Sequence, residues 1–216
     1  MDLSLDTNKI PKSSRISLLW LGTNVFSIFG GVLLGKFLYD FLYPYFYPYQ
    51  YQSGLDILML VDDPIRRMVF IGLSIGILNG LLERLVLQRY KLKYSGWILA
   101  NILGWSFGFA ATESLEILGW QWGTPQLLGG MIIGFSQWIV LRRYLAKSYW
   151  WIIACVIGSF AILSLIPVGY TFLMILEEYS IPIIVAGFIM GIFTGATLSR
   201  LQENKNAQQS VHWIGG

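Results

Sequence analysis

The sequence predicts an all-α membrane protein that crosses the bilayer about six times and is built as three parallel two-helix repeats. Composition gives the first reason: 55% of the residues are hydrophobic and 12% are charged, against about 25% charged in soluble domains. So few charges do not cover a water-facing surface. Six apolar runs give the second reason, and a glycine pattern that recurs three times gives the third.

The six runs are each close to the length that a helix needs to cross about 30 Å of hydrocarbon. They lie at 16–39, 65–85, 97–112, 127–142, 149–175 and 181–199. Just before the second run, Asp62 and Asp63 with Pro64 predict an N-cap and the first helical position.

The first run follows Lys9, Lys12 and Arg15, a charge pattern that also precedes the apolar core of a signal peptide. The run is too long for that core, and no small-residue cleavage site ends it. We therefore interpret it as a retained membrane anchor. With six spans, both termini lie on one side.

Two later runs have distinct features. The third is short because Glu113 and Glu116 follow it. In the fifth, Pro167 lacks an amide hydrogen and Gly169 is flexible, so the sequence predicts a kink.

A small-residue pattern recurs in the even-numbered runs, starting at residues 72, 130 and 187. Its positions share one helix face, where small residues let neighbouring backbones approach closely. The copies are Gly72-Gly76-Asn79, Gly130-Gly134-Gln137 and Gly187-Gly191-Thr194.

A second stripe starts from a tryptophan in each odd-numbered run and also falls on one narrow helix face. Its copies are Trp20-Asn24-Ser27-Gly31, Trp97-Asn101-Gly104-Gly108 and Trp151-Cys155-Gly158-Ile162. We predict that both kinds of stripe face other helices. The predicted helix-packing glycines are Gly72, Gly76, Gly104, Gly130, Gly134, Gly158, Gly187 and Gly191.

The repeats divide the chain into five segments. Residues 1–15 form an N-terminal segment, and 201–216 form a polar tail. The repeat units lie at 16–95, 96–147 and 148–200, and the first is longer because it contains an aromatic outer-loop insertion at 40–63.

The aromatic insertion has two interpretations. Tyrosine rings sit well at the level of lipid headgroups, which favours an interfacial belt. Aromatic side chains are also common interface anchors, and only one unit carries the insertion, which favours a docking loop for a membrane-protein partner. The candidate docking residues are Tyr43, Tyr45, Phe46, Tyr47, Tyr49 and Tyr51.

Charge asymmetry predicts the orientation. Most basic residues fall on the side shared by the termini, which the positive-inside rule makes cytoplasmic. We expect a multi-pass protein of a plasma or inner membrane, or of a thylakoid membrane, with anionic lipid headgroups as partners on the basic side. These bases are Lys9, Lys12, Arg15, Arg84, Arg89, Lys91, Lys93, Arg142, Arg143, Lys147, Arg200 and Lys205.

Polar side chains at membrane depth form the candidate site. Asn79, Gln137 and Thr194 occupy equivalent pattern positions, so we expect a neutral polar site on an axis or hydrogen bonds between helices. Glu83 returns to the same inward stripe, and an intramembrane carboxyl group indicates a functional site. Such a carboxyl group needs a partner. Glu83 has two interpretations: it forms a structural ion pair, or it has a transport or regulatory role. The candidate partners are Arg142, Arg143 and Arg200.

One segment carries a resemblance to a known group of proteins. It runs from Gly130 to Trp151 and contains Gly134, Gln137-Trp138, Leu141-Arg142-Arg143 and Trp150-Trp151. The segment resembles a tandem motif of small, uncharacterised multi-pass membrane proteins that are abundant in cyanobacteria. The resemblance implies the fold and the habitat, and it implies no activity.

Catalytic chemistry finds little support in the sequence. Cys155 is a lone cysteine and His212 lies in the polar tail, so the sequence excludes an intrachain disulfide, a zinc site and a Ser-His system. We expect no catalytic, cofactor or metal site and no nucleic-acid partner. The sequence favours a non-catalytic scaffold or assembly component of a membrane complex. The alternative is a transporter or channel for a small solute or ion, with its site inside the six-helix bundle.

Overall fold

The computed structural model describes residues 12–46, 57–90, 92, 94–120, 123–160 and 180–214. These residues form six α-helices and no β-strand, so the all-α prediction is confirmed for the described part of the chain. The helices are α1 (Lys12–Phe46), α2 (Ile57–Arg89), α3 (Trp97–Ile117), α4 (Thr124–Leu141), α5 (described over Trp150–Phe160) and α6 (Ser180–Ile214).

Three of the described helices are long and apolar enough to cross a membrane. The stretches that qualify are Arg15–Leu42 in α1, Pro64–Arg89 in α2 and Thr124–Leu141 in α4. Large apolar side chains such as Phe26, Phe107 and Phe135 are exposed on the outside of the bundle. Length, composition and this apolar exterior indicate a membrane-embedded protein.

The helices pack in chain order. Helix α1 contacts α2, α2 contacts α3, and α3 contacts α4. Gly134 of α4 lies against Ile152 of α5, and Gly158 of α5 lies against Met190 of α6. Because α6 returns to pack along α1, the described helices form a closed ring.

Glycines make the helix contacts close. A Cβ atom added at Gly76 would lie 2.7 Å from the Cα atom of Ile102 in α3, and one added at Gly187 would lie 2.7 Å from the Cα atom of Val25 in α1. Two backbones therefore touch directly at these points, which no other residue type permits. All the predicted packing glycines lie against a neighbouring helix: Gly72, Gly76, Gly104, Gly130, Gly134, Gly158, Gly187 and Gly191.

The start of α2 differs from the prediction. The helix begins at Ile57, so Asp62, Asp63 and Pro64 do not form its start, and that prediction was wrong. The apolar residues 57–61 already belong to the helix. Pro64 therefore lies inside α2, where it leaves one carbonyl group without its helical amide donor.

The ends of α3 and α6 also extend past the predicted spans. Helix α3 continues through its two glutamates to Ile117, and Gln126 near the start of α4 donates a hydrogen bond of 2.5 Å to Glu116. Helix α6 continues to Ile214, through most of the segment predicted as a polar tail. The predicted kink at Pro167 and Gly169 lies outside the described residues.

Replacing Gly76 by alanine tests the close contact between α2 and α3. The added methyl group has to displace backbone rather than a side-chain end, so we expect a loss of about 1 to 3 kcal/mol of stability. Thermal unfolding of the purified protein in mild detergent measures the loss. Gly22→Ala is the matched control, because an added Cβ there meets no described atom within 4 Å. Equal melting temperatures for the two variants would contradict the interpretation.

Candidate polar site at the bundle centre

Three tryptophans meet inside the ring of helices. Trp20 of α1, Trp97 of α3 and Trp151 of α5 are all fully buried. Their ring centroids lie 6.1 Å apart for Trp20 and Trp97, 5.8 Å for Trp20 and Trp151, and 5.9 Å for Trp97 and Trp151. We call this nearly equilateral triangle the tryptophan layer, and the end of the bundle where it lies the tryptophan end.

Each indole N–H of the tryptophan layer donates to a side chain of a neighbouring helix. Trp20 donates to Oγ1 of Thr194 in α6 over 3.0 Å. Trp97 donates to Oε2 of Glu83 in α2 over 3.0 Å, and Trp151 donates to Oε1 of Gln137 in α4 over 2.7 Å. The same contact thus occurs three times, with three different acceptors.

Glu83 is 1% exposed and has neutral partners. Its Oε2 atom accepts the Trp97 hydrogen bond, and its Oε1 atom accepts one from Nδ2 of Asn24 over 3.2 Å. Each carboxyl oxygen therefore has a donor in a place that water does not reach. A buried acid held by neutral donors differs from the ion pair that the sequence suggested.

The predicted arginine partners lie elsewhere. Arg142, Arg143 and Arg200 are exposed, and the guanidinium group of Arg142 stacks on Trp138 at 5.0 Å from the ring centroid. No ion pair joins Glu83 to any of them in the described part of the chain. Arg142 and Arg143 follow buried Leu141 at the end of α4, and Arg200 lies between buried Ser199 and Leu201 in α6, so these exposed side chains point away from the interior that holds Glu83.

Amide side chains continue the polar network beside Glu83. Oδ1 of Asn101 accepts hydrogen bonds from Asn79 over 3.1 Å and from Gln137 over 2.7 Å. Oδ1 of Asn79 in turn accepts one from Ser27 over 2.6 Å. Asn79 and Gln137 therefore converge on Asn101, whereas Thr194 binds Trp20 and its own helix backbone.

The indole hydrogen bonds align α2 with α4 and α6 in a different register from the glycine pattern. The acceptors of the indole bonds are Glu83, Gln137 and Thr194, so Glu83 rather than Asn79 stands in the position of the other two. Gly80 lies three residues before Glu83, as Gly134 lies three before Gln137, and it packs against Ile98 in α3.

A sequence signal for this alignment exists but was missed. Four residues after each acceptor stands a leucine, and Leu87, Leu141 and Leu198 are all at most 1% exposed. The segments that begin with these leucines read LQRY at 87–90, LRRY at 141–144 and LSRL at 198–201. Fourteen residues separate Glu83 from Trp97 and also Gln137 from Trp151.

The chemistry available at this site is hydrogen bonding. No group of three or more His, Cys, Asp or Glu side chains with the geometry for a metal ion occurs among the described residues. Cys155 is fully buried, and its thiol lies 3.7 Å from the Gln137 side-chain oxygen. The site therefore consists of one carboxyl group, several amides and hydroxyl groups, and three indoles.

A second candidate region lies near the far end of α1. Phe37, Phe41 and Tyr45 are 65%, 59% and 72% exposed, and consecutive rings lie 6.3 Å apart. We call these three residues the aromatic ladder. Of the predicted docking loop, Tyr45 has a described side chain; the side chains of Tyr43, Phe46, Tyr47, Tyr49 and Tyr51 lie outside the described residues.

No protein-family model, curated protein or solved structure matches the chain.

Substitutions of Glu83 test its place in the network. Glu83→Gln keeps an acceptor for the Trp97 indole, as Gln137 does for Trp151, so we expect a small change in stability. Glu83→Leu leaves the buried indole N–H of Trp97 unpaired, at a cost of about 1 to 3 kcal/mol, while Asn24 keeps its hydrogen bond to the Trp20 carbonyl group. Thermal unfolding in detergent compares the two variants. A leucine variant as stable as the glutamine variant would contradict this role.

Proposed function

We propose that the chain is a non-catalytic integral membrane protein that serves as a scaffold or assembly component of a membrane complex. The observation that carries the proposal is the filled centre of the bundle. The tryptophan layer occupies the space between α1, α3 and α5, and the polar side chains beside it are bonded to one another. Such a centre holds helices in place and offers little room for a passing solute.

We infer that the six helices are six membrane spans in three parallel two-helix units. The three indole bonds support this, because each joins an even-numbered helix to an odd-numbered one of the next unit around the ring. More exposed arginines lie at the tryptophan end than at the opposite end, where Arg66 and Arg67 are exposed, and this asymmetry supports a cytoplasmic location for the tryptophan end and for both termini. Those at the tryptophan end are Arg84, Arg89, Arg142, Arg143 and Arg200.

The aromatic ladder is the docking surface that we propose for a membrane-protein partner. Its rings stand in a row on one face of α1, and aromatic side chains are frequent anchors at interfaces. Helix α1 is 35 residues long, which at 1.5 Å per residue is about 50 Å and exceeds the hydrocarbon thickness. The end of α1 that carries Tyr45 therefore extends towards the outer headgroups or beyond them.

The docking proposal predicts that replacing Phe37, Phe41 and Tyr45 together by alanine releases a partner. The exposed rings contribute little to the bundle core, so expression and melting temperature stay close to those of the wild type. Affinity purification in mild detergent from the native membrane, with mass spectrometry of the co-purifying proteins, measures the loss. Phe107→Ala with Phe135→Ala is the control, since both are exposed aromatic side chains on other helices. Identical partners for all three proteins would count against the proposal.

Transport of a small ion or solute is the second candidate function, and Glu83 is the observation that favours it. A carboxyl group that is fully buried inside a membrane-embedded bundle, without a cationic partner among the described residues, is uncommon and often functional. Flux assays on protein reconstituted in liposomes test this function.

Under the transport hypothesis Glu83→Gln changes the flux of at least one ion without lowering the yield of folded protein. Arg142→Gln is the control, because this exposed arginine lies away from the polar cluster. A panel of protons, alkali cations and small solutes gives a direct answer. If the flux for both wild type and variants is no greater than that of protein-free liposomes, the result contradicts the transport hypothesis and leaves the scaffold function.

A further inference from the structure

A surface cavity of about 370 Å³ lies between α2 and α3 at the tryptophan end. It combines a cation, a hydroxyl group and the first turn of α3 with apolar side chains further along that helix. The lining residues are Arg84, Tyr94, Ser95, Gly96, Trp97, Ile98, Leu99 and Ile102.

Small residues line this cavity at positions where the next helix pair carries aromatic rings. Ser95 and Gly96 precede Trp97, whereas Tyr149 and Trp150 precede Trp151. The rings of Tyr149 and Trp150 lie 5.5 Å apart beside α5.

The residue after the indole acceptor differs in the same way. Arg84 follows Glu83, whereas Trp138 follows Gln137 and packs on Phe135 with ring centroids 5.4 Å apart. The α2–α3 groove therefore carries small residues and an arginine at the positions where the α4–α5 groove carries aromatic rings, one of which is covered by the guanidinium group of Arg142.

Tyr94 is the strongest indication of a ligand. The residue is 6% exposed, and its hydroxyl group has no hydrogen-bond partner in the described part of the chain. Burial, and secondarily the nearby Tyr144 hydroxyl, raise the pKa of Tyr94 to about 12, so the hydroxyl keeps its proton at neutral pH and remains a donor. A buried unpaired donor costs free energy, and since Tyr94 lines the cavity, an acceptor there removes that cost if the ring turns so that the covered hydroxyl group faces it.

The remaining polar groups also suit an anion. The amides of Ile98 and Leu99 lie in the first turn of α3, where a helix has no internal acceptors for them. Arg84 is exposed, and a guanidinium group binds phosphate oxygens in a bidentate manner.

The apolar groups favour a lipid over a soluble anion. Leu99 is 59% exposed, and Ile102 lies one turn further along α3 in the direction of the membrane interior. An anion with acyl chains covers these side chains, whereas a free phosphate leaves them exposed.

We propose that this cavity binds the phosphate headgroup of an anionic phospholipid of the cytoplasmic leaflet. Arg84, the Tyr94 hydroxyl and the first-turn amides of α3 hold the phosphate, and one acyl chain lies along Leu99 and Ile102. The inference rests on the proposed orientation of the bundle, and it does not depend on the scaffold function.

Native mass spectrometry of the detergent-purified protein tests the site with phosphatidylglycerol, phosphatidylcholine and inorganic phosphate as probes. We expect wild type to retain one phosphatidylglycerol molecule in preference to phosphatidylcholine. Arg84→Gln lowers that affinity about tenfold, the equivalent of one charge-assisted hydrogen bond. Arg142→Gln, which removes an exposed arginine from the same end but from outside the cavity, retains the lipid.

A cavity-filling variant separates the site from simple surface charge. Ser95→Trp places a ring where Tyr149 stands in the other groove, and it removes binding while Arg84 remains. Size-exclusion chromatography and the melting temperature test whether Ser95→Trp is folded. If it is not, Tyr94→Phe is used in its place, because this variant removes only the unpaired hydroxyl group.

Three results would overturn the inference. The first is equal retention of phosphatidylglycerol by wild type and Arg84→Gln, and the second is equal retention of phosphatidylglycerol and phosphatidylcholine. The third is binding of inorganic phosphate that is as tight as lipid binding, which would assign the cavity to a soluble phosphate compound. None of these results depends on a protein partner or on ion flux, so they do not bear on the scaffold function.

Discussion

Inside a membrane-embedded bundle, a polar hydrogen needs an acceptor in another part of the protein or costs free energy, because water is absent. The three indole N–H groups of the tryptophan layer meet this requirement through Thr194, Glu83 and Gln137. These bonds join α1 to α6, α3 to α2 and α5 to α4, and each fixes the rotation and the depth of both helices. Close glycine contacts then bring together the remaining pairs, as Gly31 does for α1 and α2. The polar cluster and the closed ring both depend on this arrangement.

Much of the architecture could be predicted from helix periodicity, since a position on a helix face follows directly from residue spacing. The stripe that begins at Trp20 is buried, as is the one that begins at Trp97. The partner of Glu83 could not be predicted in this way. Residue spacing shows which residues lie on the same helix face, but it does not show whether an arginine side chain of another helix reaches Glu83. The glycine pattern was started at Gly72 in α2, and this start placed α2 one helical turn out of register with α4 and α6. The start of α2 was missed because Pro64 is a helix-start residue in most contexts but is tolerated here inside the helix.

The chemistry of the bundle is concentrated in one helix pair. Glu83 and Arg84 are adjacent in α2, yet the first faces the tryptophan layer and the second faces the cavity beside α3. The other helix pairs place glutamine or threonine in the first position and tryptophan or glycine in the second. Of the three indole acceptors and the three residues that follow them, only Glu83 and Arg84 are charged. A function that uses a charge beside the tryptophan layer is therefore expected to involve α2 and α3.

The contact between α1 and α6 has a consequence for biogenesis. Trp20 and its acceptor Thr194 are separated by 174 residues, and Ser17 and Ser199, whose hydroxyl groups lie 2.6 Å apart, by 182. A ribosome that delivers the helices in order inserts α1 long before α6 is synthesised. Until then the indole N–H of Trp20 is without its Thr194 acceptor, whereas Asn24, Ser27 and Gly31 already contact Glu83, Asn79 and Ile75 of α2. The nascent chain therefore carries an incomplete polar face through most of its synthesis, and insertion factors that shield such faces in the bilayer would act on α1 in particular.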